Sequence, residues 1–92
     1  MPHNRKEKPE WFALLDKVKA IREMELGTGR ELAKFLNVED ERISEWLCYK
    51  QEARAEKVID IQKWIAAKEK EMTSGDLAFY VKIQKRMAKE NV

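Results

Sequence analysis

Residues 29–48 read GRELAKFLNVEDERISEWLC, and the spacing within this stretch decides the fold. Leu32, Ala33, Phe35 and Leu36 supply the buried side of one short helix. Ile43, Trp46 and Leu47 fall at i, i+3 and i+4 of a second, the spacing that gathers side chains on one helical face. Two helices joined by about three residues make specific demands. The first needs a small residue where the second crosses it, and Ala33 is there. The turn needs a residue that accepts a positive φ, and Asn37, four positions on, is of the right type. A β-branched residue must plug the angle between the helices: Ile43 stands ten positions after Ala33. A large apolar anchor, Trp46, follows three positions later. Leu32, Leu36, Val38 and Leu47 fill the remaining buried positions.

Helical signals continue on both sides. Thr28-Gly29-Arg30-Glu31 is a capping box, a hydroxyl for the amide three residues on and a carboxylate reaching back. Upstream, Pro9 suits the first position of a helix, having no N–H to lose. Trp11, Leu14, Leu15, Val18 and Ile21 then form one apolar face, and Gly27 reads as the C-cap after the pattern fades at Met24–Glu25. Glu39, Asp40 and Glu41 complement the positive end of the helix that starts near Asp40. Downstream, a helix from about Arg54 to Met72 has a stripe of Val58, Ile61, Ile65 and Met72, widened by Ile59 and Trp64. Thr73-Ser74-Gly75-Asp76 breaks it. A last helix from Leu77 to about Lys89 carries Leu77, Tyr80, Ile83 and Met87 on one side and Lys82, Lys85, Arg86 and Lys89 over much of the rest.

The reading is an all-α, compact bundle of about five helices containing a helix-turn-helix. Residues 1–8 form a mobile, weakly basic arm and 9–72 the core domain. Residues 73–92 form a linker and a C-terminal helix, packed on the core or in a dimer interface. Three Gly and two Pro in 92 residues leave few breaks, and a charged fraction of 39% against an ordinary quarter points to long helices with solvated faces. One cysteine, Cys48, makes no internal disulfide, and with one histidine, His3, it makes no zinc set. A reducing cytoplasm is the expected home, and Cys48 reads as a partly buried filler. No apolar run spans a membrane and the N-terminus has no signal-peptide core. With no histidine in the folded part, no nucleophile beside a base and no glycine-rich phosphate loop, the chain is not expected to be an enzyme. No metal, cofactor or small-molecule substrate is expected.

At the spacing of Ala33, Asn37, Ile43 and Trp46, the chain resembles the lambda-repressor-like helix-turn-helix domains of the Cro/CI or Xre type. The resemblance covers residues 29–48 and extends more loosely over 9–72. It implies a sequence-specific DNA-binding protein, a transcriptional regulator of phage or bacterial type, working as a homodimer on double-stranded DNA. In such domains the second helix, here at about residues 40–51, lies in the major groove, while the first aims its N-terminus at phosphates. Carried over by position, Asp40, Glu41, Ser44, Glu45 and Gln51, with Cys48 among them, are the base-contact candidates. Arg30, Lys34, Arg42, Lys50 and Arg54 are the phosphate-contact candidates.

One departure stands out. Such recognition helices commonly carry Gln, Ser, Thr, Asn or Arg at the groove-facing positions, whereas Asp40, Glu41 and Glu45 are acidic. Residues 30–48 hold five acidic and three basic side chains, although the whole chain is +2. A carboxylate can accept from cytosine N4, yet it works against phosphate neutralisation, the main source of affinity. The acidic residues therefore also read as a plain solvated helix face. A third reading makes them the surface of a protein-interaction module, antitoxin-like or an adaptor, that kept the fold and lost the DNA. Trp11 and Trp64 read as core or dimer interface. The basic run on the last helix reads as a solvated face or a phosphate-binding tail.

Overall fold

A computed structural model describes residues 7–48 and 50–90, and within them there are five α-helices and no strand. The helices are α1 (Pro9–Glu23), α2 (Gly29–Leu36), α3 (Asp40–Leu47), α4 (Ala55–Glu71) and α5 (Ser74–Glu90). Residues 1–6 of the expected arm, with His3, lie outside the described residues. None of the described helices is long and apolar enough to cross a membrane.

α1 is the central element. The sequence gives it one apolar stripe, but Phe12, Ala20 and Asp16 are buried as well as Trp11, Leu14, Leu15, Val18 and Ile21. A helix covered nearly all round belongs inside a bundle, and α1 packs against α3, α4 and α5. Trp11 meets Trp46 of α3 edge to face, centroids 6.3 Å apart, a favoured aromatic geometry. From α5, Tyr80, Ile83 and Met87 are buried in the same core. The Tyr80 hydroxyl donates to Glu69 of α4 at 2.8 Å, and Arg86 grips Glu23 at the end of α1 at 2.7 Å. The resulting radius of gyration, 12.6 Å, matches the roughly 12 Å of a close-packed chain of this length.

Helix ends follow the sequence in part. Thr28 caps α2 as expected: its hydroxyl accepts from the Glu31 amide at 3.0 Å, and the Glu31 carboxylate accepts from the Thr28 amide at 3.4 Å. α2 ends at Asn37 in the left-handed conformation, φ 56°, with Val38 N–H donating to Ala33 carbonyl at 2.9 Å. α1 ends in the same way, but not at the glycine. Glu25 holds the positive φ, 60°, and the amides of Glu25 and Leu26 donate to Arg22 and Ile21 carbonyls, 3.0 Å each, a Schellman closure. Gly27 is needed for another reason. A Cβ there would lie 2.8 Å from the ring of Trp64.

The last break is also shorter than expected. α5 begins at Ser74, not Leu77, because Thr73 and Asp76 make a second reciprocal cap, 3.1 Å in both directions. Three residues assigned to buried faces are exposed: Phe35 at 53%, Ile59 at 51% and Leu77 at 41%. Phe35 and Ile59 lie on helix flanks that no neighbouring helix covers.

Candidate functional site

α2 and α3 are joined by Asn37, Val38 and Glu39 and pack on each other through the four spaced residues. Ala33, Ile43 and Trp46 are buried, at 4% exposure or less, and Asn37 makes the turn. Ile43 reaches back to the start of α2, where its Cγ2 would be 3.7 Å from a Cβ on Gly29. α4 braces α2 from behind, running antiparallel to it. Lys57 donates to the Leu36 carbonyl at the C-terminal end of α2, 2.7 Å, where a cation meets the negative pole of the dipole. Lys68 pairs with Glu31 at the other end at 2.6 Å and lies 5.5 Å over the Trp64 ring.

This packing leaves one side of α3 facing out. With Ile43, Trp46 and Leu47 turned inward, the helical period puts Glu41, Ser44, Glu45 and Cys48 on the opposite side. Glu41, Ser44 and Cys48 are exposed and Glu45 is half-buried. The exposure of Cys48 corrects its reading as a filler: it is the C-cap of α3, beyond the last inward-facing turn.

The five cations assigned to phosphates, Arg30, Lys34, Arg42, Lys50 and Arg54, are all exposed. Two of them are held by residues expected to meet bases. Arg30, at the start of α2, pairs with Asp40, at the start of α3, at 3.6 Å. Arg42 donates to the Gln51 side chain at 2.9 Å. Asp40 and Gln51 thus orient arginines at the two edges of α3, and its centre is left to Glu41, Ser44 and Glu45. Both pairs are solvent-exposed, so each contributes direction more than stability. Beyond α3, Val38, Arg42, Trp46, Gln51, Ala53 and Arg54 line an open cleft of about 430 Å³ leading to the start of α4.

One cation was missed in the sequence. The Arg22 guanidinium, from the last turn of α1, lies against the start of α2, its carbon 3.9 Å from the Cβ position of Gly29. With Lys19 it edges an open cleft beside Thr28 and Gly29. The amides of Gly29 and Arg30 precede the first i→i−4 bond of α2, which Leu32 makes to Thr28, and so belong to the set that a helix N-terminus offers to anions. Nothing in the local pattern marks Arg22, because it sits outside the 29–48 stretch and arrives by the placing of the last turn of α1 beside the start of α2.

No group of three or more potential metal ligands gathers among the described residues. Compared with known protein families, with characterised proteins and with solved structures, the chain matches none.

Proposed function

We propose that α2 and α3 form a helix-turn-helix that docks on double-stranded DNA, with α3 in the major groove, and that the protein is a sequence-specific regulator. The observation that carries this reading is the outward side of α3, uncovered at Glu41, Ser44 and Cys48 and edged by Arg30 beside Asp40 and by Arg42 beside Gln51, with Lys34, Lys50 and Arg54 also exposed. Arg22 and the start of α2 add a further place for a phosphate, since first-turn amides, the helix dipole and a guanidinium all favour an anion there, with the neighbouring Glu23 neutralised by Arg86. The acidic charge of α3 is the opposing term. It is reduced where Arg30 pairs with Asp40, and it makes binding to arbitrary DNA weak. Weak non-specific binding widens the margin by which a correct site is preferred. A homodimer completes the proposal: a palindromic site needs two copies of α3 about 34 Å apart, and a molecule of 37 × 31 × 18 Å is of the size to provide that.

The test is a fluorescence-anisotropy titration of the full chain against a pool of random duplexes carried through rounds of selection, repeated over a range of salt. Enrichment of a common motif, with affinity falling steeply as salt rises, is the expected result. Weak, salt-insensitive binding and no enriched motif would overturn the reading.

A second reading is favoured by Glu41 and Glu45, one turn apart at the centre of the outward side. On that reading α3 docks on a basic protein partner. Replacing Glu45 with Lys separates the two: it strengthens binding to arbitrary DNA if α3 enters the groove, and leaves DNA affinity unchanged if α3 meets protein.

A further inference from the structure

We propose that Glu41 is the specificity-determining residue and that it selects a cytosine; this rests on the DNA-docking reading above. The argument starts from what each outward side chain is free to do. With Ile43, Trp46 and Leu47 inward, the helical period sets Asp40 toward one edge of the outward side, 3.6 Å from Arg30, and Gln51 lies past the end of α3, 2.9 Å from Arg42. The centre of the outward side is formed by Glu41, Ser44 and Glu45, and no Arg, Lys, Asn or Gln stands among them. Glu41 is exposed and lies in the first turn of α3, the end of a recognition helix that reaches base edges. Glu45 is half-buried one turn later.

An ionised carboxylate only accepts hydrogen bonds. The major-groove edges of the four bases answer that property differently. Guanine offers two acceptors, N7 and O6, and repels a carboxylate. Thymine offers an acceptor and a methyl group. Adenine offers the N6 donor, but with the N7 acceptor beside it. Cytosine offers the N4 donor and no acceptor. An acceptor-only residue at the tip of α3 therefore matches cytosine and is opposed, to differing degrees, by the other three. The negative charge that costs affinity for phosphates discriminates against every wrong base, which is how specificity is built from unfavourable contacts as well as favourable ones.

The experiment is the selection from random duplexes, run in parallel with wild type, Glu41→Gln and Glu41→Ala, each checked by circular dichroism for an unchanged fold. Wild type is expected to enrich a motif with one fixed cytosine per half-site, whose replacement weakens binding by about tenfold or more. Glu41→Gln is expected to move the preference at that one position to adenine, because a Gln amide pairs with N6 and N7 together. Glu41→Ala is expected to lose the preference there and keep the rest of the motif. A motif that lacks the cytosine, or that both variants enrich unchanged, overturns the assignment of Glu41 and leaves DNA docking standing. If wild type enriches no motif, DNA docking itself falls, and the assignment with it.

Discussion

Replacing Gly27 with Ala tests how α1, α2 and α4 are locked together. Gly27 has no positive φ, so alanine meets no backbone penalty there and any cost is steric. The new methyl would lie 2.8 Å from Cζ2 and 3.0 Å from Cη2 of Trp64, and 3.1 Å from a carboxylate oxygen of Glu31. Carbon atoms rest at about 3.5–4.0 Å, so the indole must retreat by about 0.5–1 Å. It has nowhere to go: Trp64 is 3% exposed, with Lys68 over its face. Glu31 is held in turn by the capping box and by Lys68. Overpacking of this kind costs about 1–3 kcal/mol, and a disturbed cap adds about 1 kcal/mol. We therefore expect Gly27→Ala to lose about 2–3 kcal/mol in urea denaturation followed by far-UV circular dichroism. A domain of this size shifts by about 4–8 °C per kcal/mol, which makes the corresponding fall in Tm roughly 8–24 °C. Gly75→Ala is the control. Its methyl would find only Thr73 Oγ1, at 3.9 Å, and in the first turn of α5 it should be neutral or stabilising by up to about 1 kcal/mol. A Gly27→Ala protein within about 0.5 kcal/mol of wild type, the range of ordinary surface substitutions, would refute the reasoning.

Three further outcomes follow. Glu25→Gly relieves a left-handed residue whose side chain costs about 1–2 kcal/mol and gives back about 0.5–1 kcal/mol as chain entropy; a net gain of about 0.5–1 kcal/mol in the denaturation midpoint is expected, and a loss would contradict it. Burial, and next the hydrogen bond to Glu69 and its charge, push the Tyr80 hydroxyl pKa upward. The folded chain then keeps a proton that the unfolded chain releases near pH 10, so this stability is full below pH 10 and lost above it. The advantage of wild type over Tyr80→Phe should therefore shrink by up to about 1.4 kcal/mol per pH unit above 10; a gap that stays constant from pH 8 to about 11 would count against the assignment. On the DNA-docking reading, Arg42→Ala should lower the slope of log affinity against log salt by about 1. Arg86→Ala, on α5 and tied to Glu23, should leave that slope unchanged.

Much of the scaffold was legible because helical signals are local. A capping box, a proline at the first position and an apolar repeat act within four residues along one helix, and they fixed the starts of α1 to α4 to within about a residue, whereas α1 closes ahead of Gly27 and α3, read as running to about 51, ends at Leu47. Ala33, Asn37, Ile43 and Trp46 were readable for the same reason, since a tight turn between two helices brings its demands close together in the chain. The candidate site was legible in composition but not in arrangement. The acidic and basic side chains of residues 30–54 could be named from the sequence. That Arg30 holds Asp40, and that Gln51 holds Arg42, could not.

By itself, then, the sequence determined five helices, the turn at Asn37 and most of the core, because each depends on neighbours within a turn or two. The tertiary structure decided what depends on the crossing of distant helices. Close approach of Trp64 required Gly27, and the left-handed residue of the α1 closure is Glu25 instead. The central placing of α1 buried Phe12, Ala20 and Asp16, while Phe35 was left on a flank with no helix across from it. Packing also brought Arg22 to the start of α2. The outward side of α3 was set in the same way. Its centre belongs to Glu41, Ser44 and Glu45 because Ile43, Trp46 and Leu47 are drawn into a core shared by all five helices, and no local repeat records where that core lies.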